Sequence, residues 1–158
     1  MLKVTPFLWF DHQAEEAAAF YVGVFPDSKI TAVSRYGEAG PGPAGSAMTV
    51  QIELAGLPVT LLNGGPVFRL TEAFSLSVSC EDQAEVDRYW AALTADGGEE
   101  SQCGWLKDRF GLSWQIVPRA LPEVLGHPDR AKANRAMQAM LQMKKLDIEA
   151  LRAAAEAA

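Results

Sequence analysis

Residues 74–90 read FSLSVSCEDQAEVDRYW, an alternating run followed at once by a helical pattern. From Phe74 to Cys80 every second residue is apolar and the residues between are serines, which is typical of a strand with one buried face. Asp82 then begins a helix, and Glu85 stands three positions later, the spacing of a capping box. Because a buried hydroxyl without a partner costs about 1–3 kcal/mol, the apolar side of the strand is predicted to pack on the helix.

The same order of elements occurs earlier in the chain. Gln13-Ala14-Glu15 begins a first helical pattern as Gln83-Ala84-Glu85 begins the second, 70 positions later. Residues 56–62 likewise resemble residues 111–117, with an offset of 55. Each copy predicts a βαβββ module that is too small to bury a sufficient core alone. We therefore expect an α+β fold in which tandem modules share one curved mixed sheet with the helices outside.

The length of 158 residues suits a single domain of this kind. We assign residues 1–66 to module one and residues 67–118 to module two. Residues 119–158 form a tail with three predicted helical segments, two of them begun by Asp129 and Asp147. Methionines at helical spacing in this tail predict either core and dimer packing or a face that binds a partner.

The composition excludes several classes of function. Lys and Arg number 14 and Asp and Glu 20, and the net charge of −6 argues against a nucleic-acid partner. Two Cys and two His are too few for a disulfide framework or a three-His metal site. No apolar run approaches the ~20 residues that span a bilayer, so no membrane partner is expected. The first residues lack the long apolar core of a signal peptide, and a cytoplasmic location is predicted.

Polar strand faces supply the candidate binding residues. Ser75 and Ser77 share one face of their strand, and Gln115 lies on the polar side of the last strand. Thr60 corresponds to Gln115 through the repeat, and Glu53 is the best carboxylate for acid–base chemistry or else a surface residue. Alternation alone allows two interpretations, a solvated outer face or a concave polar cleft.

Other candidates are less specific. Trp105 and Asn63 either line the cleft or pack in the core. His12 is a possible general base but aligns with a helix-capping position in the repeat. His127 stands beside a proline in a predicted loop, and Cys103 has no activating base near it in the sequence.

Longer motifs resemble a known family, and they cover nearly the whole chain. They are PFLWFD at 6–11, FPDSKI at 25–30, LNGGP at 62–66, SCEDQ at 79–83, EVDRYW at 85–90, CGWLKDRFGLSWQIVP at 103–118 and MKKLDI at 143–148. The chain resembles the PhnB-like family, often labelled demethylubiquinone methyltransferase-like. This family belongs to the vicinal oxygen chelate superfamily of glyoxalase I, bleomycin-resistance proteins and extradiol dioxygenases.

The resemblance implies paired βαβββ modules, a U-shaped cleft and a homodimer. Metal-using relatives place ligands on the first and last strand of each module, which correspond here to Pro6, Thr60, Ser75 and Gln115. Proline has no ligand atom, and hydroxyl and amide groups are weak ligands for zinc or iron. Neither a metal nor another cofactor is therefore expected.

The preferred interpretation is a small-molecule-binding protein whose ligand lies in the polar cleft without a metal ion. The proposed contact residues are Glu53, Thr60, Asn63, Ser75, Ser77, Trp105 and Gln115. The alternative is a metal-dependent lyase, isomerase or dioxygenase of the glyoxalase type. A methyltransferase is disfavoured because the glycine pair within 63–66 is not predicted to open a helix as in a Rossmann-like cofactor site.

Overall fold

The computed structural model describes residues 2–157. The order strand, helix and three strands occurs twice, which confirms the tandem βαβββ modules. Module one comprises β1 (Phe7–Phe10), α1 (Ala14–Val24), β2 (Lys29–Arg35), β3 (Ala47–Leu54) and β4 (Leu57–Asn63). Module two comprises β5 (Ser75–Cys80), α2 (Gln83–Thr94), β6 (Glu99–Glu100), β7 (Trp105–Lys107) and β8 (Ser113–Pro118). The tail contains α3 (Ala120–Leu125), α4 (Arg130–Met140) and α5 (Ile148–Glu156).

Backbone pairing forms two mixed four-stranded sheets, with the orders β1-β4-β3-β2 and β5-β8-β7-β6. In each module the first strand runs parallel to the last, and the other pairs are antiparallel. The α+β class is thus confirmed, but the expectation of one shared sheet needs correction. Within residues 2–157 every strand pairs only with strands of its own module. The first strand of each module pairs in parallel with the last strand of that same module. The chain divides into two compact units between Leu70 and Thr71.

In module one the helix packs on a face of aliphatic side chains. The buried side chains of β3 and β4 lie on one face of the sheet, and α1 faces them with alanines and one tyrosine. They are Val50, Ile52, Leu54, Val59 and Leu61 on the strands and Ala14, Ala17, Ala18 and Tyr21 on α1. The alanines allow close approach of helix and sheet, and each large buried side chain contributes about 1.5–3 kcal/mol.

In module two the apolar face of β5 and β8 packs toward α2, as predicted. Leu106, Trp114 and Ile116 are buried, as are the inner residues of α2, Val86, Tyr89, Trp90 and Leu93. The helix start is also close to prediction. The Asp82 carboxylate accepts from the Glu85 N–H at 2.9 Å, while the Glu85 carboxylate accepts from the Glu81 N–H at 2.6 Å. In a reciprocal capping box Glu85 would accept from the N–H of the N-cap residue Asp82, but here it accepts from the residue before it, Glu81.

A turn at Cys103 and Gly104 precedes the short strand β7. Cys103 and Gly104 both adopt positive φ, 58° and 85°, and β7 begins only at Trp105. The two N–H groups of this turn donate to carbonyls of the tail, at Met143 and Lys144, both at 2.8 Å. The alternation of side chains could not reveal these long-range bonds.

The tail is held on module two by side chains of α2. The Gln83 amide donates to the Leu146 carbonyl at 3.0 Å and accepts from the Ile148 N–H at 2.9 Å. Lys145 forms an ion pair with Asp87 at 2.8 Å. Across residues 2–157, no helix is both long and apolar enough to span a membrane.

Candidate functional site

The face of the module-two sheet opposite α2, called here the open face, carries the predicted polar residues. Strand register places Gln115 between Ser77 and Trp105, so their side chains form one row. The Gln115 Nε2 donates to the Ser75 Oγ at 3.0 Å. Ser77 is exposed and the other three are half-buried. The structure therefore brings together a hydroxyl pair, an amide and an indole.

The neighbouring row of the open face adds Ser113 and Lys107, which were not among the predicted ligand contacts. Ser113 lies between Ser75 and Lys107 in the register, and its side chain is only 1% exposed. Its Oγ has no hydrogen-bond partner among the described residues. Ser113 stands two positions before Gln115, so the period of two places both side chains on the same face of β8. This spacing is the sequence pattern that could have identified Ser113 as a site residue.

Lys107 connects this row to acidic residues. Its Nζ lies 2.7 Å from the Glu72 carboxylate and 4.0 Å from that of Glu99. The hydrogen bond lowers the pKa of Glu72 and raises the pKa of Lys107. A cavity of about 110 Å³ is lined by Ser113 and Trp105 together with these charged groups. The open face thus ends in a small, charged pocket.

Asp108 organises the loop between β7 and β8. Its Oδ1 accepts from the N–H groups of Phe110 and Leu112 at 2.9 and 3.1 Å, and its Oδ2 accepts from the Trp114 indole at 2.9 Å. The carboxylate is 2% exposed. Asp108 therefore supports the position of β8, and with it Gln115, from beneath the sheet.

Module one has its own polar face. Thr60 is half-buried and stands in register with Phe7 and Gln51. Glu53 lies further along β3 and forms an ion pair with Lys29 at 3.5 Å. The two predicted residues share a sheet, but Glu53 has a charged neighbour on the strand next to it.

Asn63 has structural bonds at the end of β4. Its Oδ1 accepts from the Ala14 N–H at 2.8 Å and its Nδ2 donates to the Ala47 carbonyl at 3.1 Å. Asn63 also lines a cavity of about 360 Å³ beside Tyr36 and His12. His12 is largely exposed, with its Nδ1 3.5 Å from the Asp11 carboxylate.

Cys80 lacks the environment of a nucleophile. Cys80 is buried, and this burial raises the pKa of its thiol to about 12. A thiol with such a pKa is fully protonated at neutral pH. Cys103 is half-buried in the positive-φ turn that contacts the tail.

A further cavity of about 950 Å³ lies among α3, α5 and the start of α2. Its charged lining includes Glu81, Glu123, Arg119 and Arg152. Arg119 is paired with Glu81 at 2.7 Å. No sequence pattern indicates this cavity, because it depends on how the tail packs on module two.

The metal-ligand positions implied by the resemblance lie side by side in each module. The Thr60 N–H donates to the Pro6 carbonyl at 3.1 Å, and Gln115 donates to Ser75. These side chains do not fit a zinc or iron ion because they include no imidazole, thiolate or carboxylate. Within the described part of the chain, no three His, Cys, Asp or Glu side chains are grouped to hold a metal.

The sequence profile of the 3-demethylubiquinone-9 3-methyltransferase family matches residues 2–117. The chain belongs to this PhnB-like family. The PhnB protein from Bacillus cereus is 35% identical, with 74% of this chain and 99% of that chain covered and a TM-score of 0.68. The match ends before α3, so the three tail helices lie beyond the family profile.

Two more distant structures share the fold of this PhnB-like chain. Protein PA1353 from Pseudomonas aeruginosa is 22% identical, with 75% and 98% of the two chains covered and a TM-score of 0.62. The fosfomycin resistance protein FosX from Listeria monocytogenes, solved with Mn(II) and sulfate, is 17% identical, with 80% and 98% covered and a TM-score of 0.54. These two structures share the fold, and the PhnB-like family to which the chain belongs is part of the vicinal oxygen chelate superfamily. No match was found among curated proteins.

Proposed function

We propose that this PhnB-like protein binds a small organic molecule on the open face of module two, without a metal ion. The observation that carries the proposal is the row formed by Ser77, Gln115 and Trp105, with Gln115 also bonded to Ser75. An amide flanked by hydroxyls and an indole offers both hydrogen bonds and an apolar surface, as ligand sites do. The half-buried position of Gln115 restricts its rotamers and prepares it for binding.

Module one supplies further candidate contacts on its own sheet. Thr60 offers a hydroxyl at the position equivalent to Gln115, and Glu53 offers a carboxylate on the neighbouring strand. Asn63 lines the 360 Å³ cavity, and its structural bonds use only one of its two Nδ2 hydrogens. We include these three residues as ligand contacts of module one.

The alternative is a metal-dependent lyase, isomerase or dioxygenase of the glyoxalase type. The FosX structure with Mn(II) shows that a protein of this fold can hold a metal. In the present chain the four corresponding positions carry proline, threonine, serine and glutamine, which are poor ligands. The donor chemistry therefore favours metal-independent binding.

Methyl transfer is disfavoured by the geometry of the glycine cluster. Gly64 and Gly65 follow β4, and the next element among the described residues is strand β5 rather than a helix. A Rossmann-like site needs a glycine-rich turn that opens a helix at the cofactor. The methyltransferase in the family's description is not carried over to this chain.

Replacing Gln115 by leucine tests the proposal. Protein dialysed against EDTA is screened with a mixture of polar aromatic fragments by ligand-observed NMR, and affinities are measured for the hits. We expect Gln115→Leu to weaken binding at least about tenfold, because the amide is lost, and to change the free energy of unfolding by less than about 1 kcal/mol. Gln138→Leu, on the exposed side of α4, is the matched control. Unchanged affinity in Gln115→Leu for every hit would reject the open face as the site.

A further inference from the structure

Ser113 presents a buried hydroxyl that the fold itself does not use. It is 1% exposed, and its Oγ has no hydrogen-bond partner among the described residues. A buried hydroxyl of this kind is unfavourable for folding unless something satisfies it. Alanine at this position would fill the same space on the strand without that cost. The unpartnered hydroxyl therefore indicates that a ligand group binds in the 110 Å³ pocket that Ser113 lines.

The charges around the pocket indicate which group it accepts. Glu72, Glu99 and Glu100 line it with Lys107 as the one cation. Lys107 is paired with Glu72 at 2.7 Å and is 4.0 Å from Glu99. The two carboxylates around the one ammonium leave an excess of negative charge, which repels an anionic ligand.

Glu99 is the carboxylate that shares a register row with Ser113. Glu99 stands opposite Lys107, which stands opposite Ser113. Glu100, the next residue of β6, stands opposite Leu106 and accepts from the Trp90 indole of α2 at 2.8 Å, so its side chain lies on the helix side of the sheet and not beside Ser113. The indole of Trp105 adds an aromatic wall that attracts cations.

We propose that this pocket binds the ammonium group of a primary amine carried by the ligand of the open face. This inference rests on the proposed function and names the class of ligand. An ammonium has three N–H donors, which suit the carboxylates of Glu72 and Glu99 and the hydroxyl of Ser113. At ~30 Å³ for each water-sized group, the pocket holds the nitrogen and about two or three carbons. The rest of the ligand then extends along the row of Ser77 and Gln115.

The test uses n-butylammonium, with n-butanol and n-butyrate as neutral and anionic analogues, titrated into the whole protein and followed by NMR. We expect n-butylammonium to bind at least about tenfold more tightly than either analogue. Ser113→Ala and Glu99→Gln should each weaken its binding about tenfold. Ser34→Ala and Glu38→Gln, both exposed in module one, should change it less than twofold.

Equal binding of the alcohol, or unchanged affinity in Ser113→Ala, overturns the inference. Failure of n-butylammonium to bind the unmodified protein also overturns the inference, because water alone would then satisfy the Ser113 hydroxyl. These results are distinguishable from failure of the proposed function. If fragments bind and Gln115→Leu weakens them while the amine does not bind, the open face stands as a site and only the amine assignment is lost.

Discussion

Asn63 joins the ends of three elements through one side chain. Gln13, at the N-cap of α1, makes no side-chain cap bond, and Asn63 instead accepts from the Ala14 N–H across the sheet. Its amide also satisfies the carbonyl of Ala47, a buried residue at the start of β3. The residue was predicted as a ligand contact, and the structure adds a capping role.

Asn63→Ala is expected to lower the free energy of unfolding by about 2 kcal/mol, because a helix cap and a bond to a buried residue are lost together. Urea denaturation followed by tryptophan fluorescence measures this change. Asn134→Ala, at an exposed position of α4, is the matched control and should be neutral or slightly stabilising. Equal stability of the two variants would show that the cap is not needed.

Residue patterns predicted the faces of the strands better than the bonds between distant segments. The alternation of β5 placed Ser75 and Ser77 correctly on the side opposite α2 because a period of two leaves no other choice. The role of Asn63 depends on a partner 49 positions away, which no local pattern encodes. The burial of Ser113 likewise depends on neighbours on β5 and β7.

At the level of elements, the tail is attached to module two through the tail's own backbone groups at residues 143–148. Cys103 and Gly104 donate to the tail, while Gln83 both donates to it and accepts from it. A Cβ at Gly104 would lie 3.0 Å from the Ile116 carbonyl and from Leu146, so the tail packs closely on this turn. The sequence could predict the tail helices from their aspartate caps but not this attachment.

Gln83→Glu is expected to loosen the tail, because a carboxylate would face the Leu146 carbonyl in place of the amide donor. Hydrogen exchange should accelerate at least about tenfold for the N–H groups of Cys103 and Gly104, which bond to tail carbonyls. Gln138→Glu, exposed on α4, is the matched control. Unchanged protection at both amides in Gln83→Glu would mean that the Gln83 bonds do not hold the tail.

The ion pair between Lys132 and Glu156 makes the packing of α4 and α5 sensitive to acid. Hydrogen bonds from Lys132 at 2.8 and 2.9 Å lower the pKa of Glu156 below its ordinary value of 4.5. A carboxyl with a lowered folded-state pKa contributes stability above its unfolded-state pKa and loses it as pH falls through the folded-state value. The contribution is therefore present at pH 7 and absent in strong acid.

Thermal unfolding of Glu156→Gln tests this expectation. The variant should have a slightly lower Tm than the unmodified protein at pH 7, because exposed ion pairs contribute little. The difference should disappear as the pH falls well below 4.5. Glu149→Gln, at an exposed position of α5, is the control. A difference that persists in strong acid would assign the effect to packing instead of charge.

At the level of the whole molecule, the repeat determines the architecture. Two modules with the same strand order each present one apolar face to a helix and one polar face away from it. The relatives show that this arrangement is a shared fold, and one fold can carry different sites. The chain's own side chains, not the fold, therefore decide between a metal centre and an amide- and hydroxyl-lined site.

We propose that the protein forms a homodimer, since members of the superfamily are commonly dimers. Light scattering after size exclusion should then give about twice the chain mass of 17.1 kDa. A dilution series keeps the mass constant if the dimer is stable. A mass near that of one chain at all concentrations would contradict the dimer and leave the open-face proposal to be judged on binding alone.

Ligand-induced NMR shifts in metal-free, isotope-labelled protein test the central proposal most directly. As binding fragments are added, the resonances of the Gln115 side-chain amide and the Trp105 indole N–H should be the first to shift, in proportion to the fraction of protein that is occupied. Shifts confined to the cavity around Arg119 and Arg152, or binding that requires added Mn(II), would contradict it.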